Sequence, residues 1–200
     1  MLTTLSTVKI RLAIDLADSQ LDPLLTNAIA AVSVRFDLEC RRTLARAANV
    51  LYEFAAADTE IIVPCYPIES VARFELKATE AEGWVERPGV EYLIRRNCIL
   101  SLAAPISAVC SPLPAFHIAR VVYTGGYVLP GDPPLPAPSS PLPAALEQAA
   151  VEQVVYWFQN RDHLGVMRQW PKGGTYEQFA DLDLLPGVRA VLSAYERLRI

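Results

Sequence analysis

Apolar residues recur at helical spacing in the first part of the chain, alternate with polar ones through the middle, and return to helical spacing toward the end. The opening stretch, Thr4 to Ile14, predicts a short helix capped by Thr4 or Ser6, whose side-chain oxygen can accept from the unpaired N–H groups of the first turn. Asp15 to Ser19 reads as a polar turn. Asp22 to Cys40 predicts a longer helix, with Asp22 as cap and Pro23 at the first helical position, where its missing N–H costs nothing. Two apolar stripes run along it. Leu21, Leu25, Ala28, Ile29, Val32 and Phe36 form one; Leu24, Ala31, Val34 and Leu38 form a second beside it. Two stripes imply two packing partners.

From Arg46 to Tyr123 the period is two. The runs Asn49 to Phe54, Thr59 to Val63, Ser70 to Leu76, Trp84 to Glu86, Glu91 to Ile94, Cys98 to Leu102 and Ile118 to Tyr123 are bounded by Pro, Gly, Asp or Asn, as antiparallel strands are. Pro64-Cys65-Tyr66-Pro67 and Ser111-Pro112-Leu113-Pro114 have to be loops or edges, because proline cannot donate to a central ladder. Thr124-Gly125-Gly126-Tyr127 predicts a sharp turn. Seven of the fourteen residues from Pro130 to Pro143 are proline, which excludes a helix or a central strand there.

A helix is predicted from Ala144 to Asn160, with Glu147 placed early to suit the helix dipole. Leu146, Ala150, Val151, Val154, Val155, Trp157 and Phe158 cover a broad face, leaving a narrow polar strip of Gln148, Glu152 and Gln159. Such breadth suits a helix buried centrally in its own domain or one partly covered by a neighbouring subunit. Arg161 to Leu185 has no period and reads as an extended loop carrying Trp170, Tyr176 and Phe179. A terminal helix from Gly187 to Arg199 then aligns Val188, Val191, Leu192, Tyr195 and Leu198 on one face. Together these eight residues make more apolar surface than a peripheral tail should show to water, and they are the expected interface with another chain.

The fold class that follows is α+β, a helical core of about four helices with an inserted antiparallel β-rich region. Residues 1–45 and 144–200 are expected to build the core, 46–128 the insert, and 129–143 a proline-rich connector.

Composition narrows the function. With 52% hydrophobic residues the chain can bury a sizeable core, and a net charge of −4 argues against a protein that grips nucleic acid by neutralising phosphates. The basic residues are 15 arginines and three lysines, a bias of the kind a GC-rich coding background produces. The cluster Arg41, Arg42 and Arg46 reads as a solvated helix end. No leader opens the chain and no apolar run approaches the ~18 residues of a bilayer span, so the expectation is synthesis in the cytoplasm and no membrane partner.

Catalytic chemistry finds little to stand on. His117 and His163 have no neighbouring nucleophile or carboxylate that would define a triad. Asp181 and Asp183 alternate like metal ligands but lack further ones. Lys172-Gly173-Gly174-Thr175 and Thr124-Gly125-Gly126 do not have the spacing of a phosphate loop. Cys40, Cys65, Cys98 and Cys110 are too widely spaced for a metal or redox pair and read as buried thiols. No catalytic residue, cofactor or metal is expected.

Several short segments, in their order, resemble the head–tail connector, or adaptor, family of long-tailed double-stranded DNA bacteriophages. They are Leu2-Thr3-Thr4-Leu5 with Val8 to Ile14, Leu24-Leu25 with Ile29-Ala30-Ala31, the pair Arg41-Arg42, Pro67-Ile68-Glu69-Ser70-Val71, Val122-Tyr123-Thr124-Gly125-Gly126-Tyr127, the proline-then-helix passage, and Val188 to Arg199. The resemblance implies a structural virion protein and no enzyme. It implies a homo-oligomeric ring, commonly of twelve copies, beneath the portal protein, which joins the capsid to the tail or its stopper. Double-stranded DNA would pass through its lumen without specific binding. The proline field and the segment 161–185 are long for that pattern. Two other classes stay open on the residues alone: a small cytoplasmic enzyme with a pocket between the β-insert and the helices, and a monomeric peptide-binding adaptor that uses the proline field as ligand.

Overall fold

The computed structural model describes residues 1–109, 117–133, 138–161 and 183–198, and the structural statements below concern these. Four α-helices, α1 (Leu5–Arg11), α2 (Asp22–Cys40), α3 (Ala144–Gln159) and α4 (Pro186–Ser193), flank a middle made of strands. The fold is α+β, and the switch from helical to alternating spacing marks where the strands begin. Contacts divide the chain into two compact units. The described residues of Met1–Cys40, Leu129–Asp132 and Leu142–Glu196 form one, and those of Arg41–Val128, Pro133–Pro141 and Arg197–Ile200 form the other.

In the helical unit, α1 starts where the Thr4 hydroxyl accepts from the Thr7 N–H at 3.2 Å. It ends earlier than the sequence suggests, at Arg11, because Ala13 takes a positive φ of 56° and the chain turns away. Lys9 fixes that turn. Its buried ammonium donates to the carbonyls of Leu16 at 3.3 Å and Asp18 at 2.7 Å and lies 2.5 Å from Asp22 Oδ1 at the start of α2. The first stripe of α2 is buried through Leu25, Ile29, Val32, Phe36 and Cys40. Leu146, Ala149, Ala150, Val151 and Val154 of α3 are buried as well, and α2, α3 and α4 pack on one another. Gln153 is the polar exception inside α3. Its amide donates to Asp183 O at 3.2 Å and accepts from the Leu185 N–H at 2.9 Å, so both ends of a buried amide help seat the residues ahead of α4.

The other unit holds two antiparallel sheets and one short parallel pair. Strands β1 (Ala47–Ala55), β3 (Ile68–Lys77), β4 (Val85–Glu86) and β7 (Ile118–Gly125) form the larger sheet in the order β1-β7-β3-β4. Strands β2 (Glu60–Ile62), β5 (Tyr92–Arg95) and β6 (Ile99–Leu102) form the smaller in the order β2-β6-β5. A single apolar cluster is shared by both, including Phe54, Ile61, Phe74, Leu100, Val121 and Tyr123. Strand β7 lies between β1 and β3 and is buried continuously from Val121 to Tyr123.

The expected turn at Thr124-Gly125-Gly126-Tyr127 begins later than its sequence suggests. Thr124 and Gly125 continue β7, and the direction changes at Gly126, whose φ is +100°. Both glycines are required sterically: a Cβ at Gly125 would sit 2.6 Å from Cys65 O and one at Gly126 2.5 Å from Ala45 O. The proline field contributes Ser140–Pro141 (β9), paired in parallel with Tyr127–Val128 (β8). This is a two-residue edge, short enough to tolerate a missing N–H.

Candidate functional site

The eight residues expected at an interface divide on inspection. Trp170, Tyr176 and Phe179 lie outside the described residues. Val188 and Leu192 are 1% and 0% exposed inside the helical unit, and Val191 and Tyr195 are half-buried. Leu198 is exposed and belongs to the sheet-containing unit. Helix α4 therefore brings Val188, Val191 and Leu192 to one face and stops at Ser193, well before Arg199. Beyond it Arg197, which belongs to the sheet-containing unit, donates to the Tyr52 hydroxyl at 2.9 Å and to Ile62 O at 2.5 Å.

The basic cluster requires a correction. Arg41 is exposed, but Arg42 is 4% exposed, with its guanidinium 3.2 Å from the centre of the Tyr66 ring and 5.4 Å from that of Tyr127. It also donates to Tyr66 O. Arg46 grips Glu69 in a bidentate pair, its Nε 2.9 and 3.0 Å from the two carboxylate oxygens. Helix-end position suggested solvation; aromatic rings and a carboxylate from distant parts of the sequence supply partners instead. Burial raises the pKa of the Tyr66 phenol, opposed by Arg42. Burial likewise raises the Cys98 thiol, again opposed by Arg42.

A second ionic cluster sits on the larger sheet. Glu75 on β3 pairs with Arg73 at 2.7 Å and with Arg120 of β7, whose guanidinium lies 4.2 Å from the centre of the Trp84 ring. Burial would raise the Glu75 pKa, but hydrogen bonds from the two arginines outweigh it and hold the group below the usual carboxylate range. Asp183 is also held low, first by the Leu184 N–H and then by Arg189. Tyr123 is pushed far above the ordinary phenol range by burial, and its hydroxyl accepts from the Cys65 N–H at 3.0 Å. These perturbed groups are occupied in holding the fold, and none opens into a cleft with a second reactive partner.

Among the described residues, clefts occur in the sheet-containing unit. A cleft of about 480 Å³ is lined by residues 87–91 and 103–106, and another of about 430 Å³ by residues 91–93 and 101–103. Their charged liners are Arg87 and Glu91. Beside them β5 forms the open edge of the small sheet and exposes Tyr92, Leu93 and Ile94, with Leu93 71% exposed. Sequence reasoning placed a strand there but not its exposure. The signal was the uninterrupted run of three apolar residues, which cannot all face one core in an alternating strand.

His117 is half-buried, while His163, Cys110 and Asp181 lie outside the described residues. Cys40, Cys65 and Cys98 are buried. Among the described residues, no group of three or more His, Cys, Asp or Glu side chains is arranged to hold a metal ion, and no helix is long and apolar enough to cross a membrane.

The fold being α+β, with four helices and antiparallel sheets, comparison with solved structures becomes informative. The chain is similar, over 98% of its length and 89% of the other chain, to one in a structure described as the neck of an empty gene transfer agent particle computed with C6 symmetry. The TM-score is 0.56 and the identity 12%. A chain from the neck of the native particle, computed with C12 symmetry, matches with a TM-score of 0.54 at 13% identity, covering 98% of this chain and 90% of that one. A chain of the native gene transfer agent virion gives 0.53 at 14%, covering 94% and 84%. No protein-family profile and no curated protein sequence matches. At these identities the likeness establishes a shared fold.

Proposed function

We propose that the chain is a structural protein of the neck of a phage-like particle, an adaptor that assembles as a ring between the portal and the tail or its stopper. The observation that carries the proposal is the extent of the likeness: 98% of this chain and about nine-tenths of a neck chain superpose, so helices and β-rich insert are matched together. A match to one common motif would not reach that coverage. The ordered series of short segments that resembles the connector family supports the same reading independently of the coordinates.

In this role the chain works without catalytic turnover. The charged groups with displaced pKa values are spent on internal ion pairs, and the clefts bring together no nucleophile, base and orienting group. An oligomer near twelve copies would enclose a lumen for double-stranded DNA. A subunit carrying a net charge of −4 suits a channel through which a polyanion slides without adhering. The segment bearing Trp170, Tyr176 and Phe179, together with the exposed end of the chain at Leu198, is the proposed contact with a neighbouring subunit or the portal. The half-buried Val191 and Tyr195 would border it.

Native mass spectrometry of the purified chain, alone and with the portal, tests the proposal. The expected result is a closed oligomer near twelve times 22.0 kDa, localised by labelling at the head–tail junction of particles. A species that stays at 22.0 kDa in both settings, with no label on particles, would overturn it.

A further inference from the structure

Among the described residues, none covers the outer face of α2. Leu24, Val34 and Leu38 are 47%, 60% and 67% exposed, and Asn27 and Ala31 between them are exposed too. These five residues are spaced alternately three and four apart, the spacing that keeps a narrow seam pointed at a second helix. An accidental scatter of surface leucines would not hold that register along the whole helix. Ala31, small and central, lets a partner backbone approach. Asn27 is the kind of polar residue that fixes register within such a seam. Arg35 borders it and is bridged to Asp183 of the same subunit at 3.5 Å.

We propose that this seam receives a helix of a second copy of the chain, and that it is one side of the contact repeated around the ring. The assignment rests on the ring reading above. Size and symmetry decide between a second copy in a ring and a simple pair. From Leu24 to Leu38 the stripe runs about 21 Å, and a helix is about 10 Å across, giving a footprint of roughly 200 Å². A specific two-body interface takes about 800 Å² from each partner. The seam is therefore too small to hold a dimer of two α2 helices alone. It fits a contact reinforced by other surfaces, with each copy held on two sides. In a cyclic ring such contacts join unlike surfaces, so the seam of one copy faces a different helix of the next rather than its own counterpart.

The test uses the full chain. The double variant Val34→Glu, Leu38→Glu puts two charges on exposed positions and is expected to keep the wild-type circular dichroism and, at a concentration too low for assembly, the wild-type melting temperature. Its assembly midpoint, read by sedimentation, should rise at least tenfold in concentration. Assembly within twofold of wild type overturns the assignment while leaving the ring reading intact. A variant that unfolds also overturns it, since the face would then be needed within the subunit. In the same experiment a wild-type chain that never assembles, even beside the portal, removes the ring reading and this inference with it. A second variant, Val34→Cys, separates the geometries. Efficient disulfide joining of residue 34 to residue 34 would show like surfaces meeting and overturn the proposal; assembly without that product supports it.

Discussion

Helix α2 carries two stripes of similar composition and opposite fate. Leu25, Ile29, Val32 and Phe36 are sealed inside the helical unit, whereas Leu24, Val34 and Leu38, one or two residues away in the pattern, face outward. Both stripes are legible in the sequence, and both predict a partner. Periodicity reports how much apolar surface a helix has to cover, but not whether the cover comes from the same chain. That distinction depends on the loops and helices that return from far along the sequence, and among the described residues α3 and α4 pack on α2 while Leu24, Val34 and Leu38 stay exposed.

The sharpest way to break the comparison is on the inner stripe. Phe36→Ala removes a ring with no exposed surface and leaves a cavity, and should cost about 4 kcal/mol in chemical denaturation of the isolated chain. A cost comparable to that of an outer-stripe substitution would erase the difference between the two faces. Next in size comes Leu192→Ala on α4, expected to lower stability by about 3 kcal/mol, because this side chain is fully buried in the helical unit. If stability stays unchanged while assembly fails, α4 belongs to the outward-facing class, with its apolar face given to a neighbour.

The sheet-containing unit offers a charged version of the inward case. Glu75→Gln strands two arginines that now share one carboxylate, and should cost about 1–2 kcal/mol, discounted because Arg73 is substantially exposed. The pH dependence carries the sign. The folded pKa of Glu75 is depressed, so its stabilisation is fully present above the unfolded value and is lost as pH falls through the folded one. Wild type should therefore lose stability on acidification below the ordinary glutamate range, and the Gln variant should lose less over that interval. Parallel denaturation curves for the two proteins would remove Glu75 from the account.

How far the sequence carries the fold depends on whether local or distant contacts set each feature. Pro23 and the apolar register define α2 locally, and it runs from Asp22 to Cys40 as read, although Asp22 lies inside the helix and its carboxylate meets Lys9 instead of capping the first turn. Helices α1 and α4 are shorter than their patterns. Lys9 is drawn to the carbonyls of the following turn, and Arg197 to Tyr52 and Ile62, and neither partner is visible from helical spacing. The parallel pairing of Tyr127–Val128 with Ser140–Pro141 was hidden by the prolines that stiffen the segment between them. Arg42 was misread for the same reason: the rings that bury it come from Tyr66 and Tyr127, and a helix terminus by itself predicts only solvent. At the candidate interface, the apolar residues could be picked out from composition and spacing. Their division into inner and outer required the folded chain, because exposure is a property of what the rest of the chain covers.

The smallest expected effect is the most specific to the outer stripe. Leu38→Ala shortens a side chain that is mostly in water in the isolated subunit, so little transfer free energy is lost and no cavity forms. Alanine also has a slightly better helix propensity than leucine, which offsets part of what contact remains. The stability of the single chain, measured by denaturation at a concentration too low for assembly, should shift by no more than about 0.5 kcal/mol. In the oligomer the same leucine would be covered by a neighbouring helix, and its truncation should then weaken association measurably at each repeated contact. A loss of about 2 kcal/mol or more in the isolated chain would mean that Leu38 is covered by its own subunit in solution. The two stripes of α2 would then belong to one core, and the outer one would have no second copy to receive.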